Sequence, residues 1–179
     1  MEEYKRLERK LIHKGKITTT YVDKMLLPNG KEAEWDFIGH KGAAAMVAVN
    51  ENGKILMVRQ YRNALERYTL EIPAGGINQG EDFKEAAIRE LEEETGYHTE
   101  YVTHLLDIYT TVAFCNEKIG IYCCKARKKE AQSLDEDEFV EVCEYTIEEL
   151  IEMIQAGKIQ DSKTVSALLA FYTYKKSAT

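Results

Sequence analysis

Between Ala43 and Val49 the chain is continuously apolar. Ala43-Ala44-Ala45-Met46-Val47-Ala48-Val49 leads to Glu51-Asn52-Gly53, and Lys54-Ile55-Leu56-Met57-Val58-Arg59-Gln60-Tyr61-Arg62 follows. Unbroken apolar runs flanking a tight turn signal predict two buried strands. Upstream, Ile17 to Val22 is β-branched and aromatic, and Pro28-Asn29-Gly30 is strong turn chemistry before Lys31 to Phe37, so residues 16–37 are expected to form a hairpin. Downstream, Tyr68 to Ile72 reads as a short strand, and Pro73 to Gly80 as a glycine-rich loop. A helix is expected from about Asp82 to Thr95: Asp82 with Glu85 three residues later forms a variant capping box, and Gly96 is a suitable stop.

Strand patterns recur at Tyr101 to Thr111, Lys118 to Lys125 and Phe139 to Tyr145. Helices are expected around Ile147 to Ala156 and Lys163 to Lys175, the second carrying Val165, Leu168, Leu169 and Tyr172 at helical spacing. Strands of mixed character with helices for both faces predict an α/β chain: a three-layer α/β/α sandwich on a mixed sheet, preceded by an N-terminal antiparallel hairpin or sheet.

Composition narrows the functional classes. With 179 residues there is room for one ordinary globular domain with an appended sheet. The net charge of −7 and pI near 5.3 argue against a nucleic-acid backbone binder, which needs clustered Lys and Arg. Residues 1–16 are charged throughout, and no later run approaches the apolar length of a membrane span, so a cytoplasmic protein without membrane attachment is expected. Cys115, Cys123, Cys124 and Cys143 lack zinc-site spacing and are expected as buried or half-buried free thiols. The four histidines are scattered, so carboxylates must carry any chemistry.

Those carboxylates sit in the helix, in Arg89-Glu90-Leu91-Glu92-Glu93-Glu94-Thr95-Gly96. Glu90 and Glu94 are four residues apart and stack on one face, Glu93 lies three from Glu90, and Glu81 precedes the helix. Phe83, Ala87 and Leu91 form a separate apolar stripe, so one face can bury while the other offers acids. Like charges at this spacing repel, and Arg89 is the one cation within a turn of Glu90. Hard divalent cations relieve such repulsion, and Mg²⁺ favours a few carboxylates with waters and substrate phosphates. A bare E-x-x-x-E is most often a solvated helix face. The full spacing, Gly75, five residues, Glu81, seven residues, then Arg89-Glu90-Leu91-x-Glu93-Glu94-x-Gly96, is far more specific.

That pattern resembles the Nudix box at every fixed position, with Tyr97 where the family more often has an aliphatic residue. The resemblance implies the Nudix fold and a Mg²⁺-dependent hydrolase of diphosphate linkages in nucleotide derivatives, with Mn²⁺ as an alternative cation. It implies Glu90, Glu94 and the Ala74 carbonyl as metal ligands, Glu81 supporting the metal sphere, Glu93 holding metal or water, and Arg89 orienting the glutamates. Gly75 would let the loop turn tightly and bring the Ala74 carbonyl to the site.

Val58-Arg59-Gln60-Tyr61-Arg62, Glu71-Ile72-Pro73-Ala74-Gly75, Gly30-Lys31-x-x-x-Trp35 and the acidic run Asp135 to Glu138 extend the likeness to the ADP-ribose pyrophosphatase branch. This implies hydrolysis of ADP-ribose or a related nucleoside diphosphate sugar to a nucleoside monophosphate and a sugar phosphate. It further implies an N-terminal β segment over 1–40 that serves dimerisation and base binding, a catalytic domain over 41–179, and a homodimer. Trp35 would stack on the base, Arg62 would pair with a substrate phosphate or ribose, Glu136 would be the general base and Glu138 a further metal ligand. One departure stands out: Thr111-Val112-Ala113 replaces the branch's Ser-Pro-Gly, removing a rigid turn and leaving GDP- or UDP-linked sugars as alternatives. Nudix hydrolysis of dinucleotides or nucleoside triphosphates, and a nucleotide-sensing Nudix module without catalysis, are the other readings. The intact box speaks against the last.

Overall fold

A computed structural model describes residues 3–134, 136 and 138–177. The chain divides into two compact units, Met1–Gly42 with Tyr109–Lys118, and Ala43–Ile108 with Ile119–Thr179.

The first unit is a three-stranded antiparallel sheet in the order β1 (Lys5–Lys14), β2 (Thr19–Leu26) and β3 (Glu32–Gly39). The expected hairpin is β2 and β3, joined through the turn around Pro28-Asn29-Gly30, where Gly30 takes a positive φ of 78° and donates its N–H to the Leu27 carbonyl. The apolar pattern predicts no separate strand ahead of that hairpin, yet Lys5–Lys14 form β1, which is exposed along its whole length and lacks an apolar face to reveal it. Its register is held from the side: Arg9 donates through Nε and Nη2 to both Asp23 oxygens at 2.6 Å, stacks 3.8 Å over the Phe37 ring, and leaves Asp23 buried. The 109–118 segment joins the far edge of this unit, with Ile38 donating to the Phe114 carbonyl and bridging Cys115 in parallel. Thr111-Val112-Ala113 lies in a turn there, closed by the Cys115 N–H to the Thr111 carbonyl at 3.1 Å.

The second unit is built on a seven-stranded mixed sheet. Its path runs β12 (Val140–Tyr145), β5 (Ile55–Arg62), β4 (Ala43–Val49), β10 (Lys118–Lys125), β9 (Val102–Tyr109), with β6 (Arg67–Glu71) on β5 and β7 (Ala74–Gly76) on β4. β4 and β10 are parallel, whereas β5 pairs antiparallel with β6 and β12. A small ribbon pairs β8 (Tyr97–His98) with β11 (Arg127–Lys128). Alternation along β4 divides the core. Ala45 and Val47 pack with Ile121, Leu150 and Leu168 under α2 (Ile147–Gln155) and α3 (Ser162–Ser177). Ala44, Met46 and Ala48 pack with Ala86, Ala87 and Leu91 of α1 (Phe83–Thr95). This is the expected α/β/α sandwich.

The α1 boundaries follow from its caps. Asp82 accepts from the Glu85 N–H at 2.8 Å while Glu85 accepts from the Asp82 N–H, and Gly96 closes the helix at φ 69°. Such caps stabilise a helix by about 1 kcal/mol. Three small residues carry no periodicity and predict a loop at β7, but pairing of Ala45 with Ala74, Ala44 with Gly75 and Ala43 with Gly76 makes it a strand. All four cysteines are free thiols, Cys123 and Cys124 buried and the other two half-buried. Among the described residues no helix is long and apolar enough to cross a membrane.

Candidate active site

The site forms where β7 runs alongside α1. β4 anchors β7 on one side, and Met46 donates its N–H to the Pro73 carbonyl at 3.0 Å. On the other side the Ala74 N–H donates to Glu94 Oε2 at 3.0 Å, tying the strand to the last turn of the helix. Gly75 is the point of closest approach. A β-carbon there would lie 2.1 Å from the Glu90 carboxyl carbon, so only glycine lets the Glu90 side chain rest against this backbone.

Arg89 organises the acids. Its Nε donates to Glu81 Oε1 at 2.8 Å, Nη1 to Glu90 Oε1 at 2.7 Å and Glu93 Oε2 at 2.8 Å, and Nη2 to Glu81 Oε2 at 3.0 Å and the Gly76 carbonyl at 2.9 Å. Glu81 also accepts the Asn78 N–H at 2.9 Å. One guanidinium thus draws together three carboxylates separated by up to twelve residues, with charge-assisted bonds of the strong class. The Arg89 hydrogen bonds hold the Glu81 carboxyl below its ordinary value.

Glu90 and Glu94 experience the opposite pull. Glu94 is only 4% exposed, and burial, reinforced by the Glu90 and Glu138 charges, outweighs the Ala74 hydrogen bond and pushes it up to about 8. Burial likewise raises Glu90 against the favourable Arg89 contact. The charged forms are therefore costly without an added cation. Among the described residues no three acidic, histidine or cysteine side chains converge as a ready ligand cage, because Arg89 holds Glu81, Glu90 and Glu93. The residues nevertheless suit a divalent cation: hard oxygen donors, buried against a glycine cradle, with their negative charge undercompensated.

Glu138, exposed, lies within electrostatic reach of both Glu90 and Glu94. Glu136 sits in an exposed turn. Asp135 and Asp137 of the same acidic run lie outside the described residues. The segment before this run is pinned to the end of α1, with Gln132 Nε2 donating to the Glu94 and Val140 carbonyls and Ser133 N–H to the Glu93 carbonyl. Gln132 carried no signal in the sequence, since an amide that bonds only to backbone belongs to no pattern.

Arg62, at the end of β5, is half-exposed at its side chain and donates through Nε and Nη2 to the two oxygens of Glu71, at 2.8 and 2.6 Å. Glu71 is 2% exposed. Burial alone would raise it, yet Arg62, Lys163 and Thr69 hold it at about 2. Neither Glu71 nor Lys163 had been given a role from the sequence, although an acid between Leu70 and Ile72 in an apolar strand is itself a signal of a buried partner. Trp35 belongs to the first unit, on β3 opposite Asp23; it is 46% exposed and its ring tilts against Tyr4 at 5.7 Å.

Comparison with known proteins accords with this geometry. The family model for the NUDIX domain matches residues 39–168. The chain is 40% identical over 168 residues to an ADP-ribose pyrophosphatase of Bacillus subtilis, covering 93% of this chain and 91% of that one. It is 42% identical over 168 residues to a methanol dehydrogenase activator of Bacillus methanolicus, with the same coverage. A crystal structure of an ADP compounds hydrolase superposes with a TM-score of 0.87 at 20% identity, covering 99% of this chain and 97% of that one, a likeness of fold. With the Gly75-to-Gly96 box complete in sequence and assembled around Arg89, and more than half the chain matched, this protein belongs to the Nudix family.

Proposed function

We propose that the chain hydrolyses the diphosphate linkage of ADP-ribose or a related nucleoside diphosphate sugar with Mg²⁺, giving a nucleoside monophosphate and a sugar phosphate. The observation that carries this reading is the meeting of two undercompensated carboxylates, the half-buried Glu90 and the buried Glu94, at the glycine cradle of the Ala74-Gly75 backbone. The similarity to the B. subtilis ADP-ribose pyrophosphatase over nearly the whole chain selects the substrate class.

Glu90 and Glu94, with the Ala74 carbonyl, are the groups that would hold Mg²⁺, or Mn²⁺ in its place, supported by Glu81 and Glu138. Bound there, such cations supply neutralisation of the diphosphate and acidify water. The chain's own residues do the rest. Arg89 keeps the glutamates oriented through its five contacts. Arg62 offers its outer guanidinium edge to phosphate oxygens. Glu93 orients the attacking water, and Glu136 accepts its proton as one phosphorus gains the water oxygen and loses the bridging oxygen, which leaves with the second phosphate. The three-stranded unit supports a homodimer, since Tyr4, Leu7, Leu11, Ile12 and Trp35 are exposed on a small sheet. Trp35 then serves the base. Free thiols throughout agree with a reducing, cytoplasmic setting.

A second reading is favoured by one observation. The Thr111-Val112-Ala113 turn lacks proline and glycine, so this loop is free to take another shape, and a GDP- or UDP-linked sugar is the alternative to ADP-ribose. The test is a substrate panel with Mg²⁺: ADP-ribose, GDP-mannose, UDP-glucose, NADH, diadenosine polyphosphates and nucleoside triphosphates, with products separated by chromatography. ADP-ribose is expected to give AMP and ribose 5-phosphate. Absence of turnover for every diphosphate would overturn the enzymatic reading.

A further inference from the structure

Behind Arg62 lies a chain of buried charge that the reaction scheme leaves unused. Lys163, in the first turn of α3, is 8% exposed, and its ammonium donates to Glu71 Oε2 and, at 2.9 Å, to Asp161 Oδ2. Glu71 is saturated: Oε1 accepts Arg62 Nε and Thr69 Oγ1, and Oε2 accepts Arg62 Nη2 and Lys163 Nζ. Asp161 Oδ2 also accepts the Thr164 N–H at 3.0 Å and hydroxyl at 2.6 Å, and the Thr164 hydroxyl oxygen accepts the Ile72 N–H at 3.1 Å. The start of α3 is therefore stitched to the strand end on both sides of the peptide that carries Glu71.

The charges balance within the network. Arg62 and Lys163 are the cations, and Glu71 and Asp161 are the anions that face them. Glu94 lies within electrostatic reach of both cations. Lys163 bridges Glu71 and Asp161, which leaves Arg62 to answer Glu71 with its Nε–Nη2 edge alone. Among the described residues the Arg62 Nη1 group has no hydrogen-bond partner, and Arg62 is the one member of the two cations with a substantially exposed side chain. Without Lys163, Arg62 would be the sole cation facing two carboxylates. It would be drawn inward toward Asp161, and its free edge would turn from the solvent side. Breaking a buried network by removing one charge leaves the others seeking new partners.

We propose that Lys163 is a positioning residue. By pairing with Glu71 and Asp161 together it fixes the Arg62 guanidinium with its Nη1 edge directed outward for the substrate's phosphate oxygens. This rests on the reading of Arg62 as a phosphate-binding group. Lys163 itself touches no substrate. Its effect reaches binding through the orientation of a rigid fork, for which a small misplacement is costly.

The experiment uses the full-length K163M, K163R, D161N/K163M and R62A proteins with Mg²⁺ and ADP-ribose, or with whichever diphosphate proves to be turned over. In K163M, KM is expected to rise about tenfold with kcat within about threefold. The Arg62 Nε–Hε resonance in the ¹H–¹⁵N spectrum is expected to shift and lose protection from exchange. K163R, which keeps the charge, should recover part of both. Should K163M fail to fold, K163Q, which also removes the charge, replaces it in the same measurements, whereas in D161N/K163M, where Arg62 again faces a single carboxylate, KM and the Arg62 signal are expected to stay near those of the parent protein. A lower Tm with KM and the Arg62 signal both unmoved marks a structural role only and overturns the proposal, as does either readout staying put when R62A itself raises KM. If R62A leaves KM unchanged, the phosphate reading of Arg62 falls, and the Nε–Hε signal alone then decides the positioning claim.

Discussion

The Gly75 backbone and the Glu90 carboxylate are packed so closely that a β-carbon on Gly75 would sit 2.1 Å from the Glu90 carboxyl carbon and Oε1. Contacts that short do not occur, and β7 is held by β4 on its other side and by Glu94 through Ala74. The Glu90 side chain must move. Gly75→Ala is therefore expected to leave the fold intact by circular dichroism while lowering kcat/KM by about 10²-fold or more, the scale seen when reacting groups are displaced by an ångström. Near-normal activity in a folded G75A protein would remove Glu90 from the site.

How much of this was readable beforehand depended on where each signal is written. α1 was legible because its start, Asp82 with Glu85, its stripe and its stop at Gly96 are all local. The acids at helical spacing then placed Glu90, Glu93 and Glu94 together with no tertiary information. β1 was missed because a strand exposed on both faces, Lys5 to Lys14, has no apolar alternation; its partners Asp23 and Phe37 are distant in sequence. β7 was missed because Ala-Gly-Gly has no strand propensity, and a neighbour supplies its hydrogen bonds. The Arg62–Glu71–Lys163 network spans 92 residues between Glu71 and Lys163, so the single clue was an acid inside an apolar strand. Loop acids were the least legible: Glu138 comes within electrostatic reach of Glu90 and Glu94, and spacing could not have separated it from Glu136.

Glu94 gives the metal-free protein an unusual pH dependence. Its carboxyl is raised to about 8 from the 4.5 of a free glutamate, chiefly by burial, so the folded state holds a proton that the unfolded state has lost. A raised value in the folded state means stability that is fully present below about 4.5 and lost as pH rises through about 8. In EDTA, the Tm is expected to fall between pH 5 and 8 by a few degrees. Saturating Mg²⁺ should flatten that slope, and Glu94→Gln should remove most of it, because the amide oxygen can still accept the Ala74 N–H without acquiring charge; the raised Glu90 carboxyl keeps the remainder. The same substitution should cut turnover by orders of magnitude. A slope in EDTA that E94Q leaves unchanged would assign the effect to another group.

Glu71 works in the opposite direction. Burial opposes its charge, but Arg62, Lys163 and Thr69 hold it at about 2, below the 4.5 of a free glutamate. A depressed value contributes stability that is present above 4.5 and lost as pH falls toward 2. The contribution is up to about 3 kcal/mol at neutral pH. Glu71→Gln, which takes the carboxylate from the buried Lys163 and the half-exposed Arg62, is expected to cost about 3–5 kcal/mol at pH 7. In urea unfolding, the gap between wild type and E71Q should shrink steadily from pH 4.5 downward. A gap independent of pH would show that packing, and not the charge on Glu71, is what the substitution removes.

Trp35 offers a direct optical test of the base-binding reading, because it is the sole tryptophan in the chain. Trp35 is 46% exposed on β3, tilted against Tyr4 and, among the described residues, backed by no buried cluster, so core packing does not demand a large aromatic there. Stacking on a nucleobase would bury that surface and quench its fluorescence. AMP, the proposed product, is expected to quench the emission saturably, while ribose 5-phosphate leaves it unchanged. Trp35→Ala should raise KM for ADP-ribose by about tenfold, in line with about 1–3 kcal/mol for an aromatic stacked on a base, and Trp35→Phe should recover most of it. The proposed dimer is to be tested alongside, by light scattering, since an exposed aromatic on this sheet also suits a partner copy. If W35A becomes monomeric and AMP never quenched the parent protein, the side chain serves the interface and the base is read elsewhere.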